Sequence, residues 1–312
     1  LEKQSSFWGL DIGGENIEGL VLASFSENND NPKVLARMRV PTEQNEGYQH
    51  VLERLKLTFD IIKKQVGHSP HTIGVSVPGL VDIEHKVHKN CSVTCLNNKN
   101  LKKDLEQLLQ VEVLIENDGN CLVLAETRLG IVKEKAPDAV NVFGAIMSTG
   151  VGGGWMLHHK LFRGKHHLAG EWGHTVISHT GKKCYCGKYG CLETFIGAPA
   201  LQELYLKHTK QKANIKDIIQ LSDALQSDAR VEIVKHLVKY FSLAISNIVH
   251  LIDPEVIVIG GELCHFPELF EQGKEEIGQL IFDSKLQTTI LKARFREGSS
   301  VYGAALIAAG LD

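Results

Sequence analysis

Two glycine-rich turns, each entered from an apolar strand and each left through another, set the tightest limit on how this chain can fold. The first is Asp11-Ile12-Gly13-Gly14, fed by FWGL and left through IEGLVLA. The second is STGVGGG at residues 148–154, fed by VNVFGAIM and left through WMLHHKLF. The letters match weakly but the layout repeats, one turn per half, which points to an internal duplication. Glycine lets a ligand approach the main chain, and successive N–H groups in such a turn form a concavity suited to anions. A single Gly-Gly turn is ordinarily only a tight hairpin, but a duplicated pair suits phosphate. A GxGxxG fingerprint is missing, so a dinucleotide-binding reading loses its main support.

Around these turns the pattern is α/β. Strands over 7–24 and 33–40, with a polar turn SENNDNP at 26–32 between them, read as a three-stranded meander. Val51, Leu55, Phe59 and Ile62 fall at helical spacing within 47–66, and HTIGVSVPGLVD then returns to strand. A helix over 99–110 leads to the strand VEVLIEND, and GNCLVLAETRLG reads as a helix closed by Gly130. Asn117 and Asp118 thus sit where a strand passes into a helix, at the carboxyl end where α/β folds bind ligands. Later segments are an amphipathic helix over 231–251, the strand EVIVIGGE, a helix near 266–282, the strand TTILKARF and a small-residue helix VYGAALIAAG. At 312 residues the chain exceeds one ordinary core. We expect an N-terminal lobe over 1–117, joined by the final helix at about 298–312, and a C-terminal lobe over 118–297.

A formal net charge of -3, with 23% charged residues, lacks the basic excess that holds a nucleic-acid backbone. No apolar window reaches the ~18 residues of a membrane span, and the start LEKQSSFWGLDIGG has no basic region followed by an apolar stretch. The expectation is a cytoplasmic protein with neither nucleic acid nor membrane as partner. Seven cysteines are too sparse for a disulfide scaffold. Three of them join a histidine in the pattern His174-x9-Cys184-x-Cys186-x4-Cys191. Imidazole and thiolates suit tetrahedral Zn²⁺, and four protein ligands leave no open position, so the site reads as structural. The alternative is three buried apolar cysteines.

Read together, DIGGEN at 11–16, ENDGN at 116–120, STGVGGG at 148–154, GEWGH at 170–174, CYCGKYGCLE at 184–193 and DPEVIVIGG at 253–261 resemble the ROK family in order and spacing. Within it, RVPT, IENDGNCLVLAE, ISNIVHLIDPEVIVIGGEL and FPEL are most similar to bacterial N-acetylglucosamine kinases. The resemblance implies an actin-like (ribonuclease H-like) ATPase fold, two lobes with a ligand cleft, and usually a homodimer. It implies ATP with Mg²⁺, the phosphates lying on Gly13, Gly14, Thr149, Gly150, Gly152, Gly260 and Gly261. Asp118 would take the proton of a sugar 6-hydroxyl, with Asn117, Gly79, Glu171, His174 and Glu193 around the sugar. A pyranose presents a ring of hydroxyls, which carboxylates and an imidazole read well. The zinc would fix His174, leaving its other nitrogen for the sugar.

Each assignment has a plainer rival: Asp118 could merely cap the following helix, and a glutamate is most often a solvated surface charge. Three positions depart from the family pattern: Glu15 where a threonine is usual, Glu262 in place of a third glycine, and Ser92 at a sugar-contacting asparagine. The expected activity is phosphorylation of an amino sugar, foremost N-acetylglucosamine. Alternatives are a glucokinase, an N-acetylmannosamine kinase, or a catalytically weakened sugar sensor.

Overall fold

A computed structural model describes residues 6–24, 32–221 and 228–312. The expected turn at 26–32 lies, apart from Pro32, outside them. The strands are β1 (Ser6–Ile12), β2 (Asn16–Ala23), β3 (Val34–Pro41), β4 (Thr72–Val77), β5 (Leu80–Val81), β6 (His88–Lys89), β7 (Glu112–Asn117), β8 (Asn141–Met147), β9 (Val151–Leu157), β10 (Lys160–Leu161), β11 (Val256–Gly260) and β12 (Thr289–Lys292). The helices are α1 (Tyr48–Val66), α2 (Leu101–Leu109), α3 (Asp118–Arg128), α4 (Ile131–Lys135), α5 (Glu193–Ile196), α6 (Ala198–Thr209), α7 (Ile215–Gln220), α8 (Asp228–Ile252), α9 (Gln272–Leu280) and α10 (Ser299–Ala308).

The duplication expected from the two turns is visible in the sheets. One has the order β3-β2-β1-β4-β7 and the other β10-β9-β8-β11-β12. In each, the strand entering the glycine turn pairs antiparallel with the strand leaving it and parallel with its other neighbour. Both sheets are covered on both faces, which explains their near-continuous apolar runs. Strand β2 shows the division: Ile17 and Val21 join Val51, Leu55, Phe59 and Ile62 of α1, while Leu20 and Leu22 join a core built by α3 and α10. In the second sheet Phe143, Ala145 and Met147 pack with Leu237, Phe241 and Ile245 of α8, and Val142, Val256 and Val258 face α3 and α10.

The central helices exchange sheets. Helix α3 follows β7 of the first sheet but packs on β8 and β9 of the second, whereas α10 follows β12 of the second and packs on β1 and β4 of the first. Glycines make the approach possible. A Cβ on Gly9 would lie 2.4 Å from the Val301 carbonyl oxygen, and one on Gly74 would lie 1.8 Å from that of Ala304. On the other side, a Cβ on Gly144 would meet Val123 at 2.6 Å. Where α3 and α10 cross, a Cβ on Gly303 would stand 1.9 Å from the Cys121 carbonyl oxygen.

Two sequence expectations change. Helix α3 ends at Arg128, and Gly130 has φ -104°, so it is not a left-handed cap. A Cβ there would lie 2.1 Å from Glu126 Oε2, so the glycine makes room for that buried carboxylate. The helix expected near 266–282 is confined to α9, because 3-10 turns at Glu262–His265 and Pro267–Leu269 precede it.

Gly303→Ala should destabilise the protein by about 3 kcal/mol or more, since backbone must move on both sides. Gly278 of α9 has nothing within 4 Å of its would-be Cβ. Gly278→Ala should therefore stabilise by about 0.5–1 kcal/mol through helix propensity. Urea denaturation of the two variants checks both signs.

Candidate functional site

The cleft between the sheets opens where both glycine turns end. In the first turn Gly13 N–H donates to the Asn16 carbonyl at 2.9 Å, and the Thr42 hydroxyl donates to the Gly13 carbonyl at 2.7 Å. In the second, Ser148 N–H donates to the Gly150 carbonyl at 2.9 Å. Gly13, Gly14, Thr149, Gly150, Gly152 and Gly261 line the cleft. Gly13, Gly14, Gly150 and Gly152 do not have left-handed backbones. Their lack of side chains leaves bare main chain for a ligand. Gly153 and Gly154 serve packing instead: a Cβ on Gly154 would lie 2.4 Å from the Gly119 carbonyl oxygen of α3. Gly260 also lies outside the cleft lining, because a Cβ there would meet Leu122 at 2.4 Å inside the core. Its neighbour Gly261, at φ 80° and against the Met147 carbonyl oxygen, carries the turn.

Strand β7 delivers Asn117 and Asp118 to the cleft floor. Asn117 caps α3, its Oδ1 accepting from Gly119 N–H at 2.8 Å and Asn120 N–H at 3.3 Å. Its amide nitrogen donates to the Gly79 carbonyl at 3.1 Å, tying the cap to the opposite turn. The capping that rivalled a chemical role for Asp118 therefore falls mainly to Asn117. The Asp118 carboxylate accepts from Gly119 N–H at 2.9 Å. Its Oδ1 lies 3.8 Å from where a Cβ on Gly152 would stand, so the carboxylate faces the bare side of the second glycine turn.

Asp118 does not face the cleft alone. Glu171 and Glu193 approach from the second lobe, and one Glu193 oxygen accepts from Val151 N–H at 2.9 Å. Asp11, at the end of β1, was not marked by sequence reasoning, although it opens the first glycine motif at a strand's carboxyl end. It accepts from the Ser76 hydroxyl at 2.6 Å. Burial raises Asp11 to about 7 and Asp118 to about 6. Burial, reinforced by the Asp118 charge, raises Glu171 and Glu193 to about 7. Glu18 behind them is paired with Arg37 and, at 2.8 Å, with Arg39, which also lines the cleft. Neither arginine carries a local sequence signal, because β3 reaches the site only through sheet pairing.

Of the departures from the family pattern, Glu15 is exposed at the cleft, where water can solvate its carboxylate. Glu262 is buried and lies 3.4 Å from Lys216 Nζ. Ser92 lines the cleft, but so does Asn90, so an asparagine stands in that wall after all.

The His174, Cys184, Cys186 and Cys191 ligand atoms all lie within 4.8 Å of one another. His174 Nδ1 is 3.5 Å from Cys184 Sγ, and Cys186 Sγ is 3.6 Å from Cys191 Sγ. Those spacings match the edges, about 3.7 Å, of a tetrahedron with ~2.3 Å metal–sulfur bonds. The other histidine nitrogen, expected to face sugar, is hydrogen-bonded to Tyr185 Oη at 3.0 Å.

Two sheets of matching order around a polar cleft form the actin-like ATPase architecture. The model of the ROK family matches residues 7–310. An N-acetyl-D-glucosamine kinase of Vibrio parahaemolyticus is 30% identical over 311 residues, covering 96% of this chain and 99% of that one. A ROK hexokinase from Thermus thermophilus superposes with TM-score 0.77 at 27% identity, covering 97% of both chains. A ROK family glucokinase from Streptomyces griseus, in complex with glucose and AMPPNP, gives TM-score 0.83 at 21% identity over 98% of this chain and 99% of that one.

Four acids with raised values give a pH dependence of definite sign. Between about pH 4 and pH 7 these four groups bind more protons in the folded protein than in the unfolded chain, so their contribution to stability falls as pH rises through that window. Asp11→Asn should match the original only below about pH 4 and be more stable at pH 8, by on the order of a few kcal/mol. Urea denaturation without divalent cation or nucleotide checks this, and equal stability at pH 8 would contradict it.

Proposed function

The chain belongs to the ROK family, and we propose that it transfers a phosphoryl group from ATP to the 6-hydroxyl of N-acetylglucosamine. One observation carries the chemistry: a half-buried carboxylate, Asp118, faces the bare second glycine turn across the cleft while its neighbour Asn117 takes the capping duty. The relatives named for N-acetyl-D-glucosamine support the sugar.

Asp118, at about 6, is largely ionised at neutral pH and suited to accept the hydroxyl proton as the oxygen attacks phosphorus. The bare turns at Gly13–Gly14 and Thr149–Gly152 would hold the nucleotide phosphates through main-chain N–H groups. Mg²⁺ entering with ATP would spread the phosphate charge, and Asp11 and Asp118, which both line the cleft, would be the carboxylates to hold it, directly or through water. Glu171 and Glu193, near half-protonated at neutral pH, can both accept from and donate to sugar hydroxyls. Asn117, with two main-chain groups on its oxygen and its amide donating to the Gly79 carbonyl, would hold the sugar wall beside Asp118.

The His174 and three-cysteine cluster fits a structural Zn²⁺, which would brace the loop that carries Glu193. Among the described residues no helix is long and apolar enough to cross a membrane. A homodimer is what the family resemblance implies.

ADP release measured with N-acetylglucosamine, N-acetylmannosamine and glucose tests the substrate, the first expected to have the highest kcat/KM. Asp118→Asn should lower kcat by about 10²–10⁴ while sugar binding persists. A wild-type kcat in that variant would return Asp118 to a structural role. Cys186→Ser should lower both metal content and melting temperature, since binding energy in such a site is folding energy. Elemental analysis finding less than about half a zinc per chain in the parent, purified without chelator, would remove the metal assignment.

A further inference from the structure

Tyr185 lies between two candidate ligands, Cys184 and Cys186, yet its side chain leaves the cluster and enters the cleft. Its hydroxyl is 3.0 Å from His174 Nε2 and donates to the Asn90 carbonyl at 3.3 Å. His174 belongs to the second lobe and Asn90 to the first, between β6 and the 3-10 turn Thr94–Leu96. The phenol therefore bridges the cleft. Its ring also meets the His174 ring edge-on, with centroids 5.2 Å apart at 87°.

The proton directions follow from the chemistry of the ends. A carbonyl only accepts, so the Tyr185 O–H points to Asn90 and its oxygen lone pair is left for His174. Nε2 must then carry the imidazole proton, which leaves Nδ1 as the lone pair facing Cys184. That is the tautomer a metal ligand needs, and such ligands ordinarily donate their second N–H to a fixed partner. The receiving wall is preformed. Asn90 has φ 52°, in the left-handed region, and its oxygen would lie 2.9 Å from a Cβ on Gly79. Cys91 N–H donates to Asn97 Oδ1 at 2.9 Å, and Asn97 Nδ2 donates to the Cys91 carbonyl at 3.1 Å, which hold the next turn.

We infer that Tyr185 is a cross-cleft latch, a positioning residue that sets the orientation and tautomer of His174 while drawing the Asn90 wall toward it. The latch biases the lobes toward the closed arrangement in which both walls face the ligand. A ligand of the closed arrangement binds more tightly in proportion to how populated that arrangement already is. For the sugar this rests on the substrate proposed above, but the latch itself does not require it. Tyr185 is 50% exposed. Water therefore competes for its hydroxyl, and the expected effect is moderate.

Tyr185→Phe keeps the ring on His174 and removes only the hydroxyl. Tyr189→Phe, at a 57% exposed tyrosine of the same loop, is the control. In sugar-free, zinc-replete protein, hydrogen–deuterium exchange of peptides spanning 88–97 should be about three- to tenfold faster in Tyr185→Phe. Zinc content and melting temperature should match the parent, and Tyr189→Phe should be silent. Calorimetric titration with N-acetylglucosamine, without ATP, should show binding weakened about three- to tenfold, with kcat kept within about twofold. Unchanged exchange, loss of zinc, or tighter sugar binding would overturn the latch. A parent protein that binds no N-acetylglucosamine would refute the substrate instead, leaving the exchange measurement to decide the latch.

Discussion

The crossing of α3 and α10 is the constraint on which the rest of the molecule depends. Each helix leaves the last strand of one sheet and packs on the other, so the lobes are joined through these two rods and the loops that feed them. Contact at Gly303 and Cys121 is main chain against main chain, which leaves little slack in the crossing. The buried Glu126 carboxylate holds the approach to α10. It accepts from the N–H groups of Ile131, Arg294 and Phe295 and from the Ser299 hydroxyl, at 2.8–3.0 Å. A buried charge with four donors is a stable element, whereas the same charge without them would be costly.

That rigidity lets the cleft gather like charges. Asp11 comes from the first sheet, Asp118 from the start of α3, and Glu171 and Glu193 from the loops of the second lobe. Burial raises all four above the ordinary carboxylate range, and the Asp118 charge adds to the rise at Asp11, Glu171 and Glu193. Strain of this kind is typical where a fold holds groups for chemistry rather than for stability. A cation or a hydroxyl-rich ligand relieves it, since Arg39 in the lining is already paired with Glu18 and offsets only part of that charge. Behind the acids, Glu18 is ion-paired with both Arg37 and Arg39 and forms the back wall.

Much of this was legible in the chain. The repeated strand–turn–strand units anticipated two sheets of one topology, because hairpin geometry and apolar alternation are local properties. Asn117 and Asp118 were placed at a strand-to-helix junction from pattern alone, and the cysteine cluster needs only short-range spacing. Asp11 escaped notice because one aspartate before two glycines looks like turn chemistry until a sheet neighbour, Ser76, shows it inside a cleft. Gly260 and Gly130 looked like ligand and capping glycines, but their missing side chains make room for Leu122 and Glu126.

The sequence by itself determined the α/β class, the duplicated turns, the candidate ligand cluster and the place of Asn117 and Asp118 at a strand-to-helix junction, since each is encoded within a few dozen neighbouring residues. Only the tertiary structure decided which of two adjacent polar residues caps α3, which glycines face a ligand and which face a helix, and where the second nitrogen of His174 points. Those outcomes depend on contacts between residues far apart in the chain, such as Tyr185 with Asn90 and Gly152 with Asp118. Distances of that kind come into being only when two sheets close on one pair of crossed helices.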